Sequence, residues 1–461
     1  MFISAEVVIS NPNSHSDLTN NKLVYFAAII ASLGGFVYGY GLADIAGAIL
    51  FVKDDFFLSD SIEEVVIGSA LLGAMFGAIF GGAIVDRHGR RRTMVVTAFI
   101  SIIGNLVIVL APGVDLIILG RFIVGFGFGM VSFCAPLYIS EISPVNKRGK
   151  LVSIFSLAIM LGVLAAYIID YAFSGIEEWR WMFGIGIIPA IFLAIGIHYS
   201  PKSPRWLVMH GNLEKARSEL VRLRGVEEVD QELEAIKCSL SIQTTSWKDL
   251  LAPSLRFPLF LGICLGIIRQ ATGVGIAVFY APTVFLTAGF SSSSVSILAT
   301  VGLGVLFVVM TVVAMFLVDK IGRRPLILIG LAGMVISLAV LGWAFSSPAQ
   351  SAELGWIAVI TLMSFTIFFT LGPGSVVWLL VSEIYPSKVR GMAMSVATLA
   401  LWGAYLLVTV TFLTLVDILG RAGTFWFYAL IGIAAFIFVY FLVPETKGKS
   451  LEEIEKFWEK E

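Results

Sequence analysis

The sequence predicts an all-α polytopic membrane protein with 12 transmembrane helices in two six-helix halves, and three observations carry that prediction. The first is composition. Of 461 residues, 58% are hydrophobic and 14% charged, with a mean hydropathy of +0.93, whereas a soluble domain carries about 25% charge. The second is a series of twelve apolar stretches at 23–50, 61–85, 93–111, 115–139, 149–171, 181–200, 257–286, 295–318, 325–345, 355–381, 391–416 and 423–443. Each is long enough to cross a hydrocarbon core about 30 Å thick, which takes roughly 20 helical residues. The third is a duplication. Asp86-Arg87-His88-Gly89-Arg90-Arg91-Arg92 returns 233 residues later as Asp319-Lys320-Ile321-Gly322-Arg323-Arg324-Pro325. Glu141-Ile142-Ser143-Pro144, followed by Arg148-Gly149, returns after 242 residues as Glu383-Ile384-Tyr385-Pro386, followed by Arg390-Gly391. Offsets this close mark an internal repeat with small insertions.

Residues 1–22 are polar and lack the basic region and small-residue cleavage site of a secretory signal, so they read as a cytosolic tail. The turns after stretches 2, 4, 8 and 10 hold twelve Lys and Arg residues, against Lys53, Arg180 and Arg421 in the opposite loops. Positive charge stays inside, which puts both termini and the middle linker in the cytosol. The halves are then 23–200 and 257–443, joined by the linker 201–256 and followed by a tail at 444–461. In the linker, Leu213, Ala216, Leu220 and Leu223 recur at spacings of three and four, an amphipathic helix that packs under the bundle. The acidic loop between stretches 1 and 2, with Asp54, Asp55, Asp60, Glu63 and Glu64, reads as a solvated face. Cys134, Cys238 and Cys264 are far apart, as are the four histidines, which points away from a disulfide framework, a metal site or a bound cofactor. No His-Glu-x-x-His or phosphate-loop motif appears, so no enzyme is expected. The partners implied are the lipid bilayer and a small solute, not nucleic acid. A plasma or inner membrane is the default site.

Charges inside membrane helices are costly and mark functional positions. Asp44, Arg121 and Arg269 lie well inside the apolar stretches. Glycines are dense in stretches 1, 4, 7 and 10. Most serve close packing, while Gly273, Gly275 and Gly372-Pro373-Gly374 sit where a helix would bend or unwind to gate.

These residues resemble the major facilitator superfamily, and more narrowly its sugar porter family, both proton-coupled and facilitative members. The resemblance rests on the two Asp-x-x-Gly-Arg-Arg-like turns, Gly120-Arg121 with Gly125, and Pro136-Leu137-Tyr138 running into Glu141 and Arg148. It continues in Pro201-Lys202-Ser203-Pro204-Arg205-Trp206-Leu207, Ser382-Glu383-Ile384-Tyr385-Pro386 and Pro444-Glu445-Thr446-Lys447-Gly448, in the family's order over about residues 30 to 455. It implies a cytosolic gate in which Asp86, Arg90, Glu141 and Arg148, with Asp319, Arg323, Glu383 and Arg390, form pairs that part when the inner side opens. Bidentate guanidinium–carboxylate geometry suits such a latch.

The resemblance also implies a central site, and here the chain departs from the pattern. Proton-coupled members carry an Asp after a Gly-Tyr step in helix 1, set against the Arg of helix 4. This chain reads Gly39-Tyr40-Gly41, with Asp44 three residues on, one helical turn away and within reach of Arg121 by a shift toward the outer side. In that pair Arg121 favours the ionised acid and burial the neutral one, leaving a carboxylate able to take a proton. The helix 7 motif reads Arg269-Gln270-Ala271-Thr272-Gly273-Val274-Gly275, then Phe279-Tyr280, and keeps only Gln270 of the paired amides. Ser156, Phe307, Leu401 and Tyr405 stand at other sugar-contacting positions, and Trp378 keeps the helix 10 aromatic. The implied activity is alternating-access transport of a sugar or polyol, by proton symport or uniport. Arg269 adds an organic anion as the alternative solute, and a non-transporting sensor on the same scaffold is the reading from another class.

Overall fold

The computed structural model describes residues 15–144, 146–225, 229–241, 250, 252–346, 352–385 and 389–447. Residues 1–14 of the expected N-terminal tail, Pro386 and Lys388 of a basic turn, and the C-terminal tail beyond 447 lie outside them. The described residues are helical and contain no strand.

Before the linker run α1 (His15–Ala43), α2 (Ile45–Phe56), α3 (Asp60–His88), α4 (Arg90–Val109), α5 (Val114–Ile142), α6 (Arg148–Ser174), α7 (Trp179–Gly184) and α8 (Ile187–Tyr199). The linker forms α9 (Pro204–Met209), α10 (Leu213–Arg224) and α11 (Val229–Ser241). After it come α12 (Pro253–Ala271), α13 (Val274–Phe279), α14 (Ala281–Ala288), α15 (Ser293–Ile321), α16 (Arg323–Ala344) and α17 (Ala352–Phe369). A π-helical turn over Thr370–Gly374 leads into α18 (Ser375–Ile384) and α19 (Arg390–Leu442). Eleven helical runs among the described residues are long and apolar enough to span a bilayer, counting α1 with α2, α7 with α8, α12 with α13, and α17 through the π-turn with α18. The last, α19, has 53 residues and is broken at Gly420 (φ 72°, ψ 166°). At 1.5 Å per residue it would extend about 80 Å, more than twice a hydrocarbon core, so one straight crossing is excluded.

Burial follows the logic of a lipid solvent. Phe99, Phe192, Phe316, Trp343, Ile360, Leu407, Leu430 and Phe441 are more than half exposed on the outside of the bundle, a belt that water would not tolerate at this size. Buried groups include Asp44, Arg121, Asp170, Asn105, Gln270 and a run of threonines.

The basic turns have a steric origin. Gly89 (φ 86°) and Gly322 (φ 110°) each end one helix and begin the next, a left-handed corner that disfavours any side chain. A Cβ on Gly89 would meet the Trp206 ring at 3.0 Å, and one on Gly322 would meet Glu445 at 2.8 Å. In α10, Ala216, Leu220 and Leu223 are buried as the periodicity expects, packing on Leu207, Val208 and Leu233 or on the main bundle, while Leu213 stays 39% exposed.

The helices before the linker meet those after it along two seams, α3 against α19 and α6 against α15. Three contacts between the two sets lie at the end of the bundle remote from the basic turns. Glu64 accepts from Thr414 N and Oγ1 at 2.9 and 2.7 Å, Ser174 donates to Ser294 at 2.9 Å, and Tyr167 donates to the Val278 carbonyl at 2.9 Å. These bonds hold the two sets together at the far end.

For Glu63 and Glu64 this corrects the reading of the acidic loop as a solvated face. Glu63 and Glu64 are 1% and 2% exposed. Lys53 bridges Asp60 and Glu63 at 2.6 and 2.7 Å, and Asp55 accepts from Trp179 Nε1 at 2.7 Å. Glu63 and Glu64 lie near the start of α3, and Glu64 joins α3 to α19. Asp54 and Asp55 are exposed and Asp60 partly so, as a solvated face expects.

Candidate functional site

The charged centre lies in span one, whose helix is interrupted at Asp44. Arg121, from α5, has no solvent exposure, and its Nη1 donates to Asp44 Oδ1 at 2.6 Å and to the Gly41 carbonyl at 2.9 Å. The guanidinium thus lies across the turn that separates residues 41 and 44. A carbonyl occupies the place left by the missing acid, and the acid sits one turn further. From α6, Asp170 Oδ2 accepts the Gly47 amide at 3.0 Å. Two side chains from neighbouring helices therefore take backbone groups of span one on either side of Asp44, a recognised cause of helix interruption. Phe183 covers Arg121 at 5.8 Å, and Tyr40 donates to the Met182 carbonyl at 2.6 Å. Sequence reasoning missed Asp170, because the fifth apolar stretch seemed to end at residue 171. The helix continues to Ser174 and places the acid inside.

At mid-depth, span seven is discontinuous. It turns at Gly273, whose φ of 93° only glycine adopts freely, and turns again at Tyr280. Span ten carries the π-turn around Pro373. Arg269 Nε and Nη2 both donate to the Gly374 carbonyl at 3.3 and 3.2 Å, and its guanidinium lies 5.8 Å from the Phe369 ring centre. The irregular turn exposes a carbonyl and Arg269 satisfies it, so the fork expected for a carboxylate solute is already engaged. Tyr280 is likewise committed, donating to the Thr409 carbonyl at 2.8 Å. Gln270 is 2% exposed, and its Oε1 finds no hydrogen-bond partner among the described residues; nor do Thr272 Oγ1 and Thr409 Oγ1. Trp378 is half-buried on α18, and Ser156 is exposed on α6.

An aromatic cluster, of which the sequence singled out only Tyr405, joins the two sets of helices. Tyr38 stacks on Phe128 with ring centres 5.2 Å apart, and Trp402 lies 6.1 Å from each. Tyr405 continues the row, 6.2 Å from Trp402 and stacked 5.3 Å from Phe279. Aromatic residues at helical spacing look like core in a sequence; only the fold shows them converging.

At the basic end, Arg90 reaches Glu141 at 2.9 Å and Asp86 at 3.3 Å, while Arg323 reaches Glu383 at 3.0 Å and Asp319 at 3.3 Å. Each glutamate also accepts from a hydroxyl, Ser203 at 2.5 Å and Thr446 at 2.6 Å. These hydroxyls belong to Pro201-Lys202-Ser203 and Pro444-Glu445-Thr446, 243 residues apart, a third repeat signature that the offsets of the other two would have revealed. Two members of the expected latch do not join it. Arg148 is exposed with no ion pair among the described residues, and Arg390 donates to the Tyr385 carbonyl at 3.2 and 3.1 Å. The reason is saturation, since Arg90 and Ser203 already occupy the Glu141 oxygens, and Arg323 and Thr446 those of Glu383. Each pair is confined to one set of helices, so it stays intact while the bonds between sets lie at the other end.

The part of those bonds in closure is testable. Glu64→Ala removes two hydrogen bonds to a charged group, about 1–3 kcal/mol, equivalent to a shift of roughly 5- to 150-fold in the balance of two conformations. Spin labels at exposed Ile62 and Leu419 should report a longer distance in the variant. An unchanged distance distribution would assign the bonds no part in closure.

A polytopic helical bundle with broken helices and a buried ion pair at its centre, its two sets of helices joined at one end, is the build of a secondary membrane transporter and not of an enzyme. The family model described as Sugar (and other) transporter matches residues 27–458. The chain belongs to this family of the major facilitator superfamily. It is 38% identical over 438 residues to the glucose transporter GlcP of Staphylococcus epidermidis, covering 94% of this chain and 97% of the relative. To the galactose-proton symporter of Escherichia coli K12 it is 36% identical over 440 residues, 95% of each chain. Among solved structures, the inward open conformation of the xylose transporter XylE from E. coli superposes with a TM-score of 0.82 at 31% identity, covering 94% of this chain and all of that one. XylE bound to 6-bromo-6-deoxy-D-glucose gives 0.79 at 32% identity, covering 95% and 100%.

Proposed function

We propose that the protein carries a sugar or polyol across the plasma membrane by alternating access with proton symport, Asp44 being the coupling acid and Arg121 its partner. The observation that carries this reading is the enclosed Asp44–Arg121 pair. Protonating Asp44 releases the guanidinium, and a buried ion pair that must open to be neutralised ties a proton to a helix movement. The relatives include a galactose-proton symporter and a proton:xylose symporter, which supports the coupling.

In this reading α19 counts as two crossings, giving 12 helices in two six-helix halves, 23–200 and 257–443, joined by a cytosolic linker at 201–256. Both termini, with the tails 1–22 and 444–461, are cytosolic. The basic end then faces the cytosol, and the conformation, sealed at the far end, is the inward-facing one. The pairs of Asp86, Arg90 and Glu141 and of Asp319, Arg323 and Glu383 brace each half during rocking, and Arg148 and Arg390 serve the gate only when the basic ends approach. The solute binds between the aromatic row and Gln270, whose unpartnered oxygen, with Thr272 and Thr409, suits hydroxyl groups. Trp402 and Trp378 offer faces for the apolar side of a sugar ring, and Ser156 and Tyr405 complete the lining.

A carboxylate solute is the second reading. It needs Arg269 to leave the Gly374 carbonyl. The experiment is uptake into proteoliposomes of labelled sugars, polyols and small carboxylates, with and without an inward proton gradient. A neutral solute accumulating only with the gradient is expected. Neutral uptake that equilibrates regardless of the gradient would make the protein a uniporter, and uptake of carboxylates alone, abolished by Arg269→Gln, would overturn the substrate class.

A further inference from the structure

Asp170 has no solvent exposure and makes no ion pair among the described residues. Its Oδ2 holds the Gly47 amide, and its Oδ1 has no partner. Asp44 Oδ2 and Arg121 Nε and Nη2 are also buried without hydrogen-bond partners among the described residues. Gly47 lies three residues beyond Asp44, about one helical turn, so both carboxylates address the same turn of span one. The approach is close, since a Cβ on Gly47 would fall 2.6 Å from the Asp170 Cβ. The titratable and charged groups facing Asp170 are Tyr40 from α1, Asp44 from the turn between α1 and α2, Arg121 from α5, and Tyr167 from α6 itself; α7 supplies apolar Phe183 over Arg121.

The charge count is the argument. One guanidinium serves two enclosed carboxylates, so full ionisation leaves a net negative charge away from water. An uncompensated buried charge costs several kcal/mol even after relaxation, and such a group neutralises by taking a proton. We propose that Asp170 is a second proton-holding acid of the coupling site, Asp44 and Asp170 sharing one proton whenever the site is shut off from water. Arg121 is committed to Asp44 here, which puts the proton on Asp170. It comes from water on the side where the site last opened, forming one carboxyl O–H, and leaves when water on the other side can hydrate the second carboxylate. The idle Nε and Nη2 of Arg121 allow the guanidinium to serve Asp170 when Asp44 takes the proton instead. Its use in transport rests on the symport reading; its presence does not.

Infrared spectroscopy of the purified full chain, with aspartate carboxyls labelled by heavy carbon, tests this at neutral pH. Wild type should show a protonated carboxyl band at the labelled position, lost in Asp170→Asn and moved to the unlabelled position in Asp170→Glu, which keeps the acid if the amide variant folds poorly. In proteoliposomes, accumulation normalised to counterflow should fall in Asp170→Asn from about tenfold per pH unit toward one. If Asp170 only caps the helix, the amide mimics the neutral acid, and an unchanged band or wild-type accumulation in Asp170→Asn overturns the proposal. A wild type with the band but no gradient-driven accumulation removes the symport reading and leaves the shared proton standing.

Discussion

Proteoliposomes carrying Asp44→Asn are expected to equilibrate solute and never concentrate it. A symporter moving one proton per solute accumulates up to about tenfold for each unit of inward pH gradient, since one unit is worth 1.36 kcal/mol. With the acid replaced by an amide, the inside-to-outside ratio should settle near one whatever the gradient, while downhill entry continues at a measurable rate. The structure explains why the amide is tolerated sterically. Arg121 keeps its bond to the Gly41 carbonyl and still meets an acceptor oxygen at residue 44. What disappears is the charge that a proton would cancel. Accumulation by Asp44→Asn equal to wild type would remove Asp44 from the coupling step and leave Asp170 as the remaining enclosed acid of the centre.

The position of that acid shows how far the sequence is legible. Asp44 and Arg121 stood out because single charges inside long apolar runs are costly enough to be rare, and helical spacing put residue 44 within one turn of residue 41. The contact at 2.6 Å is what that spacing allows. Asp170 is equally buried, yet it falls in the last turn of its apolar stretch, where a charge is ordinary. Hydropathy locates a helix end only to within a turn, and a turn decides whether an acid is hydrated or enclosed. Glu63 and Glu64 were hidden for the same reason at the other side of a loop: their burial comes from Lys53, Thr414 and the closed seam, none of which is near in sequence except the lysine.

The repeat was legible because both halves write Gly and Arg at the same corner, and Gly89 and Gly322 adopt matching backbone conformations. Its completion was not, because Ser203 and Thr446 donate equivalent hydroxyls under different letters. Arg269 illustrates a contact that side-chain patterns do not report. A cation in span seven reads as a solute ligand when the helix is imagined whole, but the π-turn in span ten leaves Gly374 with a carbonyl to satisfy, and in this conformation the arginine donates there. Patterns of side chains report faces. They do not report which backbone groups a distant irregularity has released.

The duplicated pairs at the basic end differ in burial, and that difference should be measurable. The side chains of Arg90 and Glu141 are 5% and 4% exposed, whereas those of Arg323 and Glu383 are 13% and 20% exposed. Removing one member of a buried pair strands the other, at about 3–5 kcal/mol. Where water reaches the survivor, the loss is nearer the about 1–3 kcal/mol of an unmade hydrogen bond. Arg90→Ala should therefore lower the stability of the detergent-solubilised protein clearly more than Arg323→Ala, read as the midpoint of equilibrium unfolding in mixed micelles. The double variant Arg90→Leu with Glu141→Leu should recover much of the loss, because an apolar pair removes the stranded charge together with its partner. Equal losses in the two single variants would mean that burial does not set the worth of these pairs. A double variant as unstable as Arg90→Ala would place the cost in the surrounding contacts of Ser203 and Trp206, which tie the linker to Glu141 of α5 and to the Asp86 carbonyl of α3.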